Sequence, residues 1–223
     1  MGKYDANSLD STPLLTNNAP FAYAEAYKTL RTNLSFASIS KQYKKIIITS
    51  AIPNEGKSTV AINLAFTLAE SDAKVLLIDC DLRNPTLLRL LRVRPDYKEG
   101  LTSLLTHNAA EDCVFKHPKM KFDVLLAGTT PPNPVELLSS PQMKQLLDQL
   151  SQRYDYTICD TPPVSIVTDA AALSRFCDGI ILVVRHKASN REQVRAAIRN
   201  LDAVQANVIG TILSCYDMSI LQR

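Results

Sequence analysis

Neither sign of charge dominates this sequence of 223 residues: 25 Lys and Arg stand against 22 Asp and Glu, a formal +3. So small an excess does not announce a nucleic-acid binder, and any basic patch must be local. The five cysteines (Cys80, Cys113, Cys159, Cys177 and Cys215) include no CxxC pair, and Cys80 and Cys159 lie in or beside apolar runs. They read as reduced, buried cysteines of a cytoplasmic protein. The opening MGKYDANSLDST lacks the apolar core of a signal peptide, and apolar runs such as Gly179–Val184 are too short to span a bilayer. If the chain works at a membrane, something else must hold it there. There is no internal repeat and no low-complexity tract. With 46% hydrophobic residues, the length suits one α/β domain and does not require a second.

What is present is an alternation. Residues 1–20 are polar, carry Pro13 and Pro20, and read as a flexible lead reaching outward. Residues 21–39 have the composition of a helix. Strands are then expected at Lys45–Ser50, Lys74–Asp79, Phe122–Leu126, Asp155–Asp160, Gly179–Arg185 and Asn207–Leu213. Helices are expected at Lys57–Glu70, near Thr86–Leu91, and at Pro141–Gln152, Thr168–Arg175 and Asn190–Val204. Runs such as KIIIT, KVLLID, YTICD and GIILVV are apolar without alternation, as befits strands covered by helices on both faces. The expected fold class is α/β, a doubly wound and mainly parallel sheet of P-loop type, in a single domain over 21–223. The stretch 97–121 has no clear assignment.

TSAIPNEGKSTVAINLA joins the first strand to the first long helix and carries Gly56-Lys57-Ser58. A loop entering a helix N-terminus points backbone N–H groups, reinforced by the helix dipole, at phosphate oxygens. Asn54, Glu55, Gly56, Lys57, Ser58 and Thr59 are therefore the candidate nucleotide-binding residues. Gly56 permits close approach, Lys57 reaches the β and γ phosphates, and the Ser58 hydroxyl ligates Mg²⁺. Ser50 is read in place of the loop's usual first glycine. VLLIDCDLR ends in Asp79 and Asp81, and YTICDTPP in Asp160; in an open parallel sheet, ligands bind at these carboxyl ends. Mg²⁺ prefers carboxylates and water beside phosphate oxygens. Asp79 and Asp81 are expected to diverge on the pleat, one facing the metal and the other turned toward an incoming nucleophile.

At these residues the chain resembles the bacterial tyrosine kinase family, in particular the kinases of Gram-positive capsular and exopolysaccharide systems. TSAIPNEGKST is similar to that family's Walker A motif, VLLIDCDLRNP to its Walker A′ and YTICDTPP to its Walker B, while AGTTPPNPVELLSSPQM resembles a further stretch typical of the group. The resemblance implies ATP and Mg²⁺ as cofactors. It gives Lys57 and Ser58 the phosphates and metal, Asp79 and Asp160 the metal and its waters, and Asp81 the substrate hydroxyl as base. Arg83 either helps with phosphate charge or is solvated. EAYKTLRTNL is similar to the family's E-x-x-R-x-x-R oligomerisation motif, with Glu25 and Arg31 kept and Lys28 in the middle arginine's place. Residues three apart share a helix face, so this trio offers both charge signs to a neighbouring subunit. The implied partners are other copies of the chain in a ring, protein tyrosine substrates, and a separate membrane activator that recruits the cytoplasmic kinase to the inner face of the membrane; nucleic acid is not among them.

The family usually ends in a tyrosine cluster, whereas this sequence closes on SCYDMSILQR with Tyr216. Tyr4, Tyr23, Tyr27 and Tyr43 are the alternative acceptors. Leu213-Ser214 stands where related ATPases carry Leu-Asn near adenine. Arg191, Arg195 and Arg199 recur at four-residue spacing, a solvated face before it is a surface for anionic lipid or an acidic partner. Two other functions compete with the kinase. One is an ATPase of the partitioning and septum-positioning type, disfavoured because Ala51 replaces the second lysine of such loops; the other is an ATP-binding regulator of polysaccharide export with little transfer activity.

Overall fold

The computed structural model describes residues 14–16, 19–39, 41–92, 99–107 and 113–215. In chain order these form α1 (Phe21–Ala37), β1 (Lys45–Ser50), α2 (Lys57–Ala69), β2 (Val75–Asp79), α3 (Leu87–Leu90), α4 (Leu101–His107), β3 (Val114–Lys116) and β4 (Asp123–Leu125). They continue with α5 (Pro134–Leu138), α6 (Pro141–Arg153), β5 (Tyr156–Asp160), α7 (Asp169–Ser174), β6 (Gly179–Arg185), α8 (Arg191–Asp202) and β7 (Val208–Ser214). The strands make one sheet in the order β3-β4-β2-β5-β1-β6-β7. All neighbours pair parallel except β3, which runs antiparallel to β4.

Side chains on a strand alternate between faces, and here both faces are apolar because both are covered. Ile46 and Ile48 of β1, Val75 and Leu77 of β2, Ile158 of β5, and Ile181 and Val183 of β6 pack against α2, with Leu34 of α1 beyond it. Ile47, Leu76, Ile78, Cys159, Ile180 and Leu182 point the other way. They meet Leu138 of α5, Met143 and Leu147 of α6, Leu173 of α7, and Ala197 and Leu201 of α8. Hence α2, wedged between the sheet and α1, is buried on nearly every side. Helix starts are specified locally: Ser140 accepts the Met143 N–H ahead of Pro141, and Asn190 and Gln193 form a reciprocal capping box on α8.

The expected elements form with boundaries within about two residues, the usual uncertainty of helix and strand ends. The unassigned stretch contains α4 and β3, and α5 forms inside the AGTTPPNPVELLSS segment. These short elements have too few residues to display a period. Gly100, which leads into α4, lies against backbone: a Cβ there would sit 2.4 Å from Leu126 O and 2.5 Å from Gly128 N. Gly100→Ala should therefore cost about 3 kcal/mol, the range of substitutions that force backbone apart. Denaturant unfolding of the variant beside the parent chain measures it.

Two expectations need correction. Leu15, in the lead expected to reach outward, is buried, and its N–H donates to the buried Asn63 Oδ1 on α2 at 2.8 Å. Apolar residues in a polar segment can pin it down. Of the cysteines, only Cys80, Cys113 and Cys159 are buried; Cys177 is partly exposed and Cys215 exposed at the end of β7, the sheet's edge strand, and none forms a disulfide. Tyr4 and Tyr216 lie outside the described residues.

Candidate active site

The site gathers where β1, β2 and β5 end. Gly56, at φ +85°, turns the chain from the loop after β1 into α2, a left-handed conformation that glycine adopts without strain. The first turn of α2, Lys57 to Thr59, follows directly, and helix geometry leaves its N–H groups without acceptors in their own helix. Across from it, β2 pairs with β5 so that Asp79 stands opposite Asp160, and both carboxylates are fully buried.

Lys57 ties these parts together. Its Nζ lies 3.1 Å from Asp81 Oδ2, 3.6 Å from Asp160 Oδ1 and 3.2 Å from Ser58 Oγ. Burial alone would depress the lysine's pKa, but the carboxylates of Asp160, Asp81 and Asp79 outweigh it and the net shift is upward. The ammonium is held charged. Asp79 and Asp160 shift upward, first because burial disfavours the charged form. For Asp79 the neighbouring Asp160 adds to this, and for Asp160 the Lys57 charge opposes it. Asp79 accepts the N–H groups of Asp81 and Leu87, each at 3.2 Å. Among the described residues neither oxygen of Asp160 accepts a hydrogen bond, so that buried carboxylate has capacity left for a cation.

The expected divergence of Asp79 and Asp81 is corrected. Residues two apart in a strand share a face, and both carboxylates lie on the α2 side of the sheet end, with Asp81 on Lys57 and Asp79 on the N–H that opens α3. The loop register is corrected too. Counting back from Gly56-Lys57 in G-x-x-x-x-G-K, the first glycine's place falls on Ala51, one residue beyond Ser50, and the neighbouring place, Ile52, is no lysine either. Ser50 instead folds its hydroxyl onto Ile52 O at 2.8 Å, and Ala51 is buried in the core.

Glu55 has a role that composition does not reveal. Its carboxylate is buried within the protein and accepts the N–H of Ile52 (2.7 Å), the N–H of Arg185 (3.1 Å) and the Ser189 hydroxyl. Ser214 Oγ donates to Glu55 O at 2.6 Å, and Arg185 Nη1 donates to Asn54 O at 3.0 Å. The side chain thus braces the loop against β6 and the turn before α8, and the Glu55 carbonyl ties it to β7. Apart from Ile52, the partners of Glu55 lie 130 to 159 residues away, beyond any local sequence signal. Glu55→Ala removes three bonds to a charged acceptor, each worth about 1.5–3 kcal/mol. The loosened loop should bind Mg·ADP roughly tenfold more weakly, an effect of about 1.4 kcal/mol, readable by titration with a fluorescent ADP.

No three His, Cys, Asp or Glu side chains among the described residues form a ready-made metal cage. This suits Mg²⁺, which is bound by one or two carboxylates together with phosphate oxygens and water. Ser58, Asp79 and Asp160 are the residues that could supply such a partial set, and Thr86 Oγ1 donates to Ser58 Oγ at 3.0 Å.

The residues expected to join subunits lie on α1, remote in sequence from this cluster. Lys28 Nζ pairs with Glu25 Oε1 at 2.7 Å on the exposed surface, while Arg31 Nη1 donates to Thr67 O of α2 within the same chain. Tyr23 accepts from Asn63 Nδ2 at 2.8 Å, its ring edge-to-face with Tyr27 at 5.3 Å, and burial raises both phenol pKa values. Neither hydroxyl is presented as a free acceptor. Arg191, Arg195 and Arg199 are exposed on α8.

A family model described as an AAA domain, AAA_31, matches residues 43–213. The tyrosine-protein kinase YwqD of Bacillus subtilis (strain 168) is 43% identical over 192 residues, covering 86% of this chain and 80% of its own length. The chain belongs to the bacterial tyrosine-protein kinase family. The crystal structure of the chimerical protein CapA2B2 superposes on this tyrosine kinase with a TM-score of 0.81 and 33% identity, over 94% of this chain and 96% of the other. The septum site-determining protein MinD of Pyrococcus horikoshii, complexed with Mg-ADP, follows at a TM-score of 0.64 and 25% identity, over 76% and 69% of the two chains. The kinase shares its fold with the septum site-determining protein but matches the tyrosine kinases more closely and over more of its length.

Proposed function

We propose that the chain is an ATP- and Mg²⁺-dependent protein tyrosine kinase, phosphorylating tyrosines of its own or of partner proteins in capsular or exopolysaccharide synthesis. The observation that carries this is the Lys57 ammonium set between Asp81 and Asp160, with Asp79 beside them. Phosphoryl transfer passes through a loose transition state, so catalysis is mostly positioning and charge stabilisation. Lys57 meets the β and γ phosphates, leaving Asp81 to accept a hydrogen bond from the tyrosine hydroxyl and orient it in line. N–H groups of the loop and of α2's first turn hold the phosphate oxygens. Ser58, Asp79 and Asp160 would hold Mg²⁺, which when bound neutralises triphosphate charge.

The wider assembly belongs to the same proposal. α1 offers the Glu25–Lys28 pair and exposed Phe21 and Phe36 to a neighbouring copy, in a ring that delivers one subunit's tyrosines to another's site. No helix among the described residues is long and apolar enough to cross a membrane. A separate membrane activator would bring the chain to the inner face. The test is purified chain with Mg²⁺, γ-labelled ATP, a cytoplasmic segment of the candidate activator and a tyrosine-bearing peptide. Label on tyrosine supports the kinase; phosphate release without labelled tyrosine points to an ATPase, and tight ATP binding with neither points to a regulator.

A further inference from the structure

Arg83 follows Asp81 by two residues, and the sequence leaves it a choice between phosphate and solvent. The structure leaves the side chain about 40% exposed and adds a partner that the sequence did not offer. Its Nε donates to Asp169 Oδ2 at 2.8 Å and its Nη2 to Asp169 Oδ1 at 3.1 Å, a two-pronged contact with a carboxylate that has no exposed surface. Such a carboxylate has lost its water and depends on its partner, and the planar fork of arginine is the geometry that satisfies both oxygens at once.

The contact joins two segments that matter. Arg83 belongs to the loop that leaves β2 through Asp79 and Asp81; Asp169 opens α7, at the end of the loop that leaves β5 through Asp160. The first loop has other side-chain tethers. Asp79 holds the N–H groups of Asp81 and Leu87, Asp81 Oδ1 holds the Asn84 N–H at 3.1 Å, and Thr86 reaches Ser58. Every one of these uses a group that the reaction itself needs for nucleotide, metal or substrate, so each is open to competition during turnover. The fork on Asp169 ends on a side chain outside the chemistry.

We infer that Arg83 is a positioning residue: locked onto Asp169, it clamps the loop carrying Asp81 to the loop following Asp160, so that the hydroxyl-orienting carboxylate and the metal-side carboxylate keep one spacing through the cycle. The inference rests on the reading of Asp81 given above. It gives Arg83 a role other than phosphate ligand, because two of its three guanidinium nitrogens are committed to Asp169.

The test uses the full chain as Arg83→Gln, Arg83→Lys, Asp169→Asn and the double Arg83→Gln/Asp169→Asn, with steady-state peptide phosphorylation and amide hydrogen exchange of residues 80–86 and 161–169. Arg83→Gln should lower kcat on the order of tenfold to hundredfold while the KM for ATP stays within about twofold, the pattern of an interaction realised in positioning rather than binding. The double variant should recover at least about fivefold of that loss, since two neutral amides can pair and no buried charge is stranded. Exchange should rise in both segments together in Arg83→Gln and fall back in the double. A roughly tenfold rise in the KM for ATP without recovery in the double would make Arg83 a phosphate ligand and overturn the inference, as would unchanged kcat. If Arg83→Gln does not fold, Arg83→Lys decides: it keeps the charge and loses the fork, so wild-type kinetics there also overturn the clamp. Were the parent chain to label no tyrosine, the kinase reading would fall while the exchange data, which need no turnover, still judged the clamp.

Discussion

Lys57→Met should lower kcat/KM for tyrosine labelling by on the order of a thousandfold or more, the scale seen when a cation that stabilises transferring phosphoryl is removed. The side chain has two duties, and methionine performs neither. Against the nucleotide it supplies charge to the γ phosphate; without nucleotide it neutralises Asp81 and Asp160 at 3.1 and 3.6 Å. Its pKa is shifted upward on balance, so in the parent chain it stays protonated throughout the neutral and mildly alkaline range, and no activity is lost there through Lys57 itself. The same substitution has a pH signature in stability. Asp79 and Asp160 are raised on folding, by burial first. A group raised on folding contributes stability fully below its unfolded value, about 4 for a carboxyl, and loses it as pH climbs through the folded value. Removing the lysine exaggerates the rise, so Lys57→Met should unfold more easily at pH 8 than at pH 6. Label transfer and thermal unfolding at the two pH values check both halves.

Asp81→Asn should reduce kcat about a hundredfold to a thousandfold while leaving Mg·ADP affinity within a few-fold, the range for loss of a positioned proton acceptor. Asparagine keeps the shape and can still accept the Asn84 N–H at the Oδ1 position. What disappears is the negative charge beside Lys57 and the capacity to receive a hydroxyl proton. Asp79 and Asp160 do not substitute for it, because both sit within the strand ends on the side proposed for the metal, whereas Asp81, also buried, lies just past β2 on Lys57. Single-turnover labelling with ADP titration in parallel separates the effects. Retention of more than about a tenth of parental transfer would remove Asp81 from the role of base.

The order of strands and long helices was legible because a sheet covered on both faces demands unbroken apolar runs, and KIIIT, KVLLID, YTICD and GIILVV have no other simple use. Asp79, Asp81 and Asp160 were legible for a related reason: each stands at or just past the end of a buried strand, the parallel sheet brings such ends to one edge, and Lys57 opens the helix that the loop after β1 leads into. What the sequence could not show was pairing at a distance. Glu55 reads as one more loop residue until Arg185 and Ser189 arrive from β6 and the turn after it. Arg83 reads as surface and is exposed, but nothing local announces its partner Asp169 of α7, 86 residues on. The short elements α4, β3 and α5 take their shape from neighbours, as Leu101 N–H on Leu126 O at 2.8 Å shows, and not from a period of their own. Strand alternation gave no ground for parting Asp79 from Asp81, two residues apart, but that Asp81, just past β2, still turns to Lys57 is seen only in the fold.

The alternation of faces has a further consequence. Ile46, Ile48, Leu77 and Ile158 share the α2 side with the reacting groups, while Ile47, Leu76, Leu147 and Leu173 sit behind the sheet. The rear layer meets the chemistry only through the loops, since Ala51 after β1 and Cys80 and Leu82 on either side of Asp81 belong to it. An engineer could retune thermal robustness by volume-conserving swaps at Leu147 of α6, whereas an equally mild change at Leu173, one turn beyond Asp169 on α7, or at Ile48 on β1 would be transmitted to the loops that carry the reacting groups.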